Sequence, residues 1–433
     1  MYNMLNEYPK SIVFSKKNTL LGEQKINFII KGQGVFIFNN DINNSCQFNL
    51  YNYDKNDGLK IEFTKDKVNV SRLLTSIEYI DENNNKGLSS YKNAYYWFSL
   101  DSQNQTLYSG IGEARLENVI YKYQFPSIKK DKKLYEKNKS FLESIISIQI
   151  YKTSSSLRPM RLLKDPITTK LPLLIKNCDS LTMDDISNST FMPKANLSHA
   201  SQKLYDCISG KKFVLDTEDF PDFTKAIEYS IKTENCWCNT QLKSKANEFN
   251  KQNPNINETY LRITLGMNDG ESPGIPYVME IWPVGHYSPI HSHAEADAII
   301  RVLHGNIHVD LYPFLCGEKE SVPSFAGVNF YKDDITWISP TINQTHKLTN
   351  LKDNKDTCIT IQCYIYNKYN NIHYDYFDYI SDTGKIEQYE PDSDMNFIEF
   401  KKKMKEEWDQ RPCDLFYTTT TNNIFNFISN IFS

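Results

Sequence analysis

Between Tyr260 and Tyr366 the chain carries six short runs of branched and aromatic residues: YLRITLG, YVMEIWPV, AIIRVLHG, IHVDLYPF, ITWISP and TCITIQCYIY. Each has the length of a strand, and turn-forming residues rather than helical segments separate them. A doubly wound parallel sheet needs a helical crossover between successive strands. This spacing therefore excludes one here and leaves an antiparallel sandwich or barrel. The fold is expected to be all-β dominated, with helices flanking the C-terminal β-structure.

The rest of the 433 residues divides by pattern. Residues 1–150 read as a separate β-rich accessory domain, in which INFII, GVFIF and LKIEF stand between Asn, Asp and Gly clusters. Within YYWFSLDSQNQTLYSGIGEARLENVIYKYQF, Gly110 and Gly112 suit a bulge or a tight bend. The charged run KKDKKLYEKNKS, Lys129 to Ser140, reads as a solvated linker. Residues 151–190, interrupted by Pro159, Pro166 and Pro172, read as an extended connector that packs on one or both domains. Amphipathic spacing in LSHASQKLYDCI, FTKAIEYSIK and TQLKSKANEFNKQ predicts helices, with Asp222 and Thr240 as starts of the last two. These lead into a β domain over 191–390, and 391–433 reads as a helical tail containing NFIEFKKKMKEEW and NNIFNFISNIF.

Charge narrows the function. Lys and Arg number 49 against 53 Asp and Glu, a formal net charge of -4, so no strong field for nucleic acid is expected. No run approaches the roughly 18 consecutive apolar residues of a membrane span. The opening MYNMLNEYPKSIVF has no basic leader followed by an apolar stretch. Nine cysteines, including the CWC at Cys236 and Cys238, form no disulfide framework, so reduced thiols in a cytoplasmic setting are expected.

Five of the eight histidines fall between His286 and His308. His291 and His293 stand two apart in GHYSPIHSHAEADAIIRVLHGN, so an extended backbone puts both imidazoles on one face. His346, in SPTINQTHKLTN, is a third candidate from a later strand. Three neutral imidazoles on a β frame suit a divalent metal with positions left open for substrate. Asp297 and Glu295 are nearby carboxylates that could also ligate, or simply face solvent, and His308 and His373 fit ordinary surface or core roles.

Gly285, Gly305 and the His346-to-Asn350 spacing make this region resemble the two halves of the cupin signature. Within cupins the stretch WPVGHYSPIHSH, Trp282 to His293, resembles the W-x-x-G-H-x-S-x-I-H-x-H pattern of cysteine dioxygenase, and the likeness covers roughly residues 190–390. It implies a cupin β-barrel in which His291, His293 and His346 bind Fe(II). The family's Tyr-x-Arg strand matches Tyr260 and Arg262, which implies that Arg262 binds the substrate carboxylate beside Tyr260. The planar guanidinium suits such a bidentate contact, and a salt bridge within the protein is the other role open to it. The family's late-strand tyrosine matches Tyr364, with Tyr366 on the same face by alternation. Trp282 and Gln362 would stand behind the reacting groups.

The chain departs from that family at two points. Ala298 stands where many animal members carry a cysteine crosslinked to the tyrosine, and where the usual cupin has its glutamate ligand. Gln362 stands where the family has histidine, and an amide cannot act as an imidazolium acid. The expected activity is that of an Fe(II)-dependent thiol dioxygenase acting with dioxygen on L-cysteine or a related small carboxylate thiol. The other classes are another metal-dependent cupin oxygenase or isomerase, and a non-enzymatic cupin used for binding or assembly. The N-terminal β block would position the site or bind a protein partner.

Overall fold

The computed structural model describes residues 11–14, 25–40, 45–83, 86–88, 94–152, 160–251, 253–265, 276–293, 296–317, 322–365 and 377–412. The described residues form four β-sheets with helices, a mixed fold rather than one of strands alone.

Two sheets come mostly from the first 163 residues. One has six strands in the order Ser11–Phe14, Met160–Leu163, Gln33–Asn39, Tyr95–Asp101, Thr106–Ile111 and Val119–Gln124; the other has five, centred on Cys46–Tyr51. Alternation assigns the side chains. Phe36, Phe38, Tyr96 and Phe98 pack with Phe48 and Phe63 of the five-stranded sheet, while Val35, Ile37 and Trp97 fill a smaller cluster on the opposite face. Rings of the main cluster meet at centroid distances such as 4.5 Å for Phe38 and Phe48, close enough for favourable edge and offset contacts. Gly110 sits at a bulge, where the register to Val119–Gln124 shifts, and a Cβ there would lie 2.1 Å from the Trp97 ring.

The run expected to be a solvated linker is instead the helix Lys132–Glu143. Asp131 caps it by accepting from the Leu134 N–H, and Phe141 and Leu142 anchor its last turn in the core. The connector packs on both parts of the molecule. Met160–Leu163 pairs with Gln33–Asn39, whereas Leu174–Lys176 pairs with Ile335–Ile338.

The remaining strands make two facing sheets. The eight-stranded sheet runs Phe191–Pro193, Leu174–Lys176, Ile335–Ile338, Asp297–His304, Cys358–Ile365, Tyr277–Trp282, Leu261–Leu265 and Met395–Asn396. The six-stranded sheet runs Ala326–Tyr331, Asn306–Tyr312, Thr345–Thr349, His291–Ser292, Phe377–Ile380 and Ile386–Tyr389. Tyr260, Trp282 and Val302 from the side of the first meet Ile307, Val309, Leu311, Phe330 and Leu348 of the second.

The outer face of the eight-stranded sheet, including Ile263, Met279, Ile299 and Ile361, is covered by the helices His199–Ile208, Phe223–Lys232, Trp237–Ser244 and Phe397–Asp409. Burial on both faces explains why these strands are apolar throughout instead of alternating. The third of these helices begins at Trp237, not after Thr240, because the Glu407 carboxylate accepts the Trp237 N–H and Cys238 and Leu242 face the core. The tail is helical through Asp409, and NNIFNFISNIF lies outside the described residues.

No clean division separates the N-terminal β block from the rest. Phe314, Cys316 and Val322, from the loop after Asn306–Tyr312, belong to the N-terminal core. Gly112, at φ +84°, leaves room for Pro313, which a Cβ would approach to 2.4 Å.

Candidate metal centre

His291 occupies a two-residue strand paired antiparallel to Thr345–Thr349, in a register that sets it opposite His346. His293 follows two positions later. The ligand-capable atoms of the three side chains all lie within 4.8 Å of one another, and the Nε2 atoms of His293 and His346 are 3.1 Å apart. The spacing read from the sequence thus brings together all three expected histidines.

Their surroundings fix the chemistry. Nδ1–H of His291 donates to the Pro289 carbonyl at 3.0 Å, and Nδ1–H of His346 donates to the Asn343 carbonyl at 3.1 Å. A carbonyl can only accept, so both rings carry their proton on Nδ1 and turn a bare Nε2 inward. Burial keeps the rings neutral: it lowers the pKa of His291 to about 4, that of His346 to about 3, and that of His293 well below the usual value. His293 Nδ1 is buried with no hydrogen-bond partner among the described residues, so without a metal its proton can sit on Nε2 and be donated to the bare Nε2 of His346 at 3.1 Å. With that proton moved to Nδ1 or released, three imidazole nitrogens converge on one point, and imidazole is a favoured donor for Fe, Zn, Ni and Cu. The donor set fits a divalent transition metal.

The Asp297 carboxylate takes no part in this cluster; it accepts from the hydroxyls of Ser198 and Ser201 at 2.9 and 2.8 Å, at the start of His199–Ile208. Glu295, Tyr366 and His373 lie outside the described residues. His308 is partly exposed and bonded to Asn329. His286 is buried but turned away, with its Nδ1–H on the Thr259 carbonyl at 2.9 Å.

A cavity of about 60 Å³ adjoins the three histidines, lined also by Tyr260, Trp282, Glu280, Gln362 and Phe377. That is room for a few waters or a ligand of similar bulk. Tyr260 and Trp282 stack with ring centroids 4.2 Å apart and form one wall. The Tyr364 ring stacks on His293 at 5.8 Å.

Arg262 is buried as expected of a functional residue, yet its guanidinium already holds a carboxylate from within the chain. Nη1 donates to Glu280 Oε1 at 2.7 Å, across the pair of strands in which Arg262 and Glu280 are direct partners. Glu280 Oε2 in turn accepts from Gln362 Nε2, and Gln362 Oε1 accepts from the Tyr364 hydroxyl. Burial pushes the Glu280 pKa up, and the Arg262 charge opposes that rise. Glu280 is the functional candidate that sequence reasoning passed over. Its signal was a lone acidic residue in the apolar run YVMEIWPV, on a strand next to one bearing a lone arginine.

No family model matches the sequence, and no curated protein matches it. Part of the chain is similar to solved structures. The cupin domain of Schizosaccharomyces pombe Cnp3 is 12% identical, over 26% of this chain and 68% of that one, with a TM-score of 0.20. KdgF from Halomonas sp. is 14% identical, over 25% of this chain and 82% of that one, at 0.19. The DMSP lyase DddQ from Ruegeria pomeroyi DSS-3 is 14% identical, over 26% of this chain and about half, 49%, of that one, at 0.18. Likenesses of that size leave any assignment to the chain's own geometry.

Proposed function

We propose that the protein is a cupin-type, Fe(II)-dependent thiol dioxygenase that converts a small thiol and dioxygen into the corresponding sulfinic acid. The observation that carries this is the convergence of His291, His293 and His346 beside a small buried cavity. Three neutral ligands leave a metal with open positions and undiminished charge, which suits binding of an anionic thiolate and a diatomic gas better than a fourth carboxylate would. The match of WPVGHYSPIHSH to the cysteine dioxygenase pattern supports the reaction class. We place the protein in the cytoplasm, where its thiols and a ferrous site would stay reduced. The N-terminal β block is proposed as a surface for a protein partner.

In this mechanism the overall change is RSH + O2 → RSO2H, with both oxygen atoms placed on sulfur. Ferrous iron, held by the three histidine Nε2 atoms, would supply a cationic site that favours the thiolate over the thiol and brings sulfur and oxygen together. The Pro289 and Asn343 carbonyls fix two of those rings in the ligating tautomer. Stacked Tyr260 and Trp282 exclude water from one side of the cavity. Tyr364, braced on Gln362 and stacked on His293, orients the groups beside the metal position. Arg262 acts through Glu280, which stands on the cavity wall.

Anaerobic loading with Fe(II), addition of oxygen and mass analysis of a small-thiol panel test the assignment. A gain of two oxygen atoms on one thiol, dependent on iron, supports it. An iron-loaded protein that leaves every thiol unoxidised excludes it.

A further inference from the structure

We propose that Glu280 is a specificity-determining residue that selects thiols bearing an ammonium group and lacking a free carboxylate, with simple aminothiols as the ligand class. The inference rests on the thiol reading above and narrows it.

The cavity wall carries one acidic side chain, Glu280, an acceptor, beside the indole N–H of Trp282, a buried donor with no hydrogen-bond partner among the described residues. Arg262 reaches the cavity only through Glu280, whose carboxylate lines the wall alongside the three histidines. The two side chains are 1% and 6% exposed, so their charges compensate each other away from water.

The hydrogen-bond chain fixes the polarity. The Tyr364 hydroxyl donates to Gln362 Oε1, which sets the amide so that Nε2 donates to Glu280 Oε2. Arg262 donates to Oε1. Glu280 is therefore an acceptor at both oxygens. A carboxylate has about four lone-pair sites, so roughly two remain for an N–H donor from a ligand.

A ligand carboxylate would meet this acceptor face on. Drawn in beside Glu280, it would set two buried carboxylates against one guanidinium, an arrangement that desolvation and like-charge repulsion oppose. An ammonium group would instead complete the Glu280 lone pairs with charge-assisted hydrogen bonds. Glu280 lies outside the three-histidine ligand set and lines the cavity beside it.

Two probe thiols of similar size separate the cases: cysteamine, with an amine and no carboxylate, and 3-mercaptopropionate, with a carboxylate and no amine. Full-length protein loaded with Co(II) under anaerobic conditions reports thiolate binding through its charge-transfer absorption, with no need for turnover. The expected result is an affinity for cysteamine at least about tenfold above that for 3-mercaptopropionate, the scale of one charge-assisted hydrogen bond. E280Q keeps the hydrogen bond to Arg262 and removes the charge, and should erase or reverse that preference. Should E280Q fail to fold, the unaltered protein still decides the matter through its own ratio. Equal affinities, or tighter 3-mercaptopropionate, would overturn the inference while leaving the thiol reading intact. A bound cobalt that neither thiol perturbs would overturn both.

Discussion

Glu113, from the N-terminal β block, accepts the backbone N–H of Gln344 at 2.8 Å, two residues before the candidate ligand His346. Next to it, Arg115 donates to Asn343 Oδ1 at 2.9 Å, and the Asn343 carbonyl is the acceptor that fixes the His346 tautomer. The N-terminal block thus grips the turn that presents the third histidine. This contact gives the extra β-structure a physical bearing on the site without supplying a ligand.

A pH dependence follows from the same residue. Burial raises the Glu113 pKa to about 7, against the pull of Arg115 and the Gln344 N–H. Because its folded value lies above its unfolded one, the folded state binds the extra proton. The resulting stability is fully present below about pH 4.5 and is lost as pH rises through about 7, to a total of about 3 kcal/mol. Urea unfolding between pH 5 and 8 should show this slope for the unaltered protein, and E113Q should flatten it. A slope unchanged in E113Q would assign it to another group.

His291→Ala, His293→Ala and His346→Ala should each abolish stoichiometric metal binding. The loss should exceed the roughly 10–100-fold that removal of an outer-shell partner costs. Elemental analysis after dialysis against Fe(II) or Zn(II) checks this, with His308→Ala, on the partly exposed Asn329 contact, as the control that keeps its metal. Asp297→Asn should also keep it, because Asp297 holds the start of a helix.

The three histidines were legible because period-two alternation is a local property and the motif lies in one stretch. Glu280 was not. Its partner is a matter of strand register, and only the pairing of Leu261–Leu265 with Tyr277–Trp282 shows that Arg262 and Glu280 are opposite one another. Without that register, the free role for Arg262 was the carboxylate of a ligand. Lys132–Glu143 was missed because its exposed face is so highly charged that the run resembles a linker, although the Asp131 cap and the Phe141–Leu142 anchor were in plain sequence. The lodging of Phe314 in the N-terminal core had no local signal, since a loop residue carries no periodicity.

That interlocking bears on truncation. A fragment of residues 190–433 keeps the three histidines but strips the partners of Phe314, Cys316 and Val322, of which Phe314 and Val322 are each worth about 1.5–3 kcal/mol on full burial. It also loses the Leu174–Lys176 strand and the Pro172 carbonyl that accepts from Trp337 Nε1 at 3.1 Å. The fragment should aggregate or be digested quickly in limited proteolysis while the full chain resists. A soluble, protease-resistant fragment that binds metal would show that the contacts between the two parts are dispensable.

The Arg262–Glu280 pair can be weighed by a double-mutant cycle. Each member is buried, so removing one leaves an opposite charge without its neutralising partner. Arg262→Met and Glu280→Leu should therefore each destabilise the protein by about 3–5 kcal/mol in urea unfolding. The double substitution removes both charges and leaves apolar side chains in the same space. It should lose less than either single change, because the pair's attraction was offset by the cost of drying two ions. Metal binding should survive the double change, since neither residue belongs to the histidine set. If instead the two losses add, each side chain is held by other groups and the pair is not the unit that sets the charge of the cavity. A strongly negative coupling with metal retained would show that Arg262 and Glu280 neutralise each other inside the fold, so that a ligand carboxylate at Arg262 would add an uncompensated negative charge.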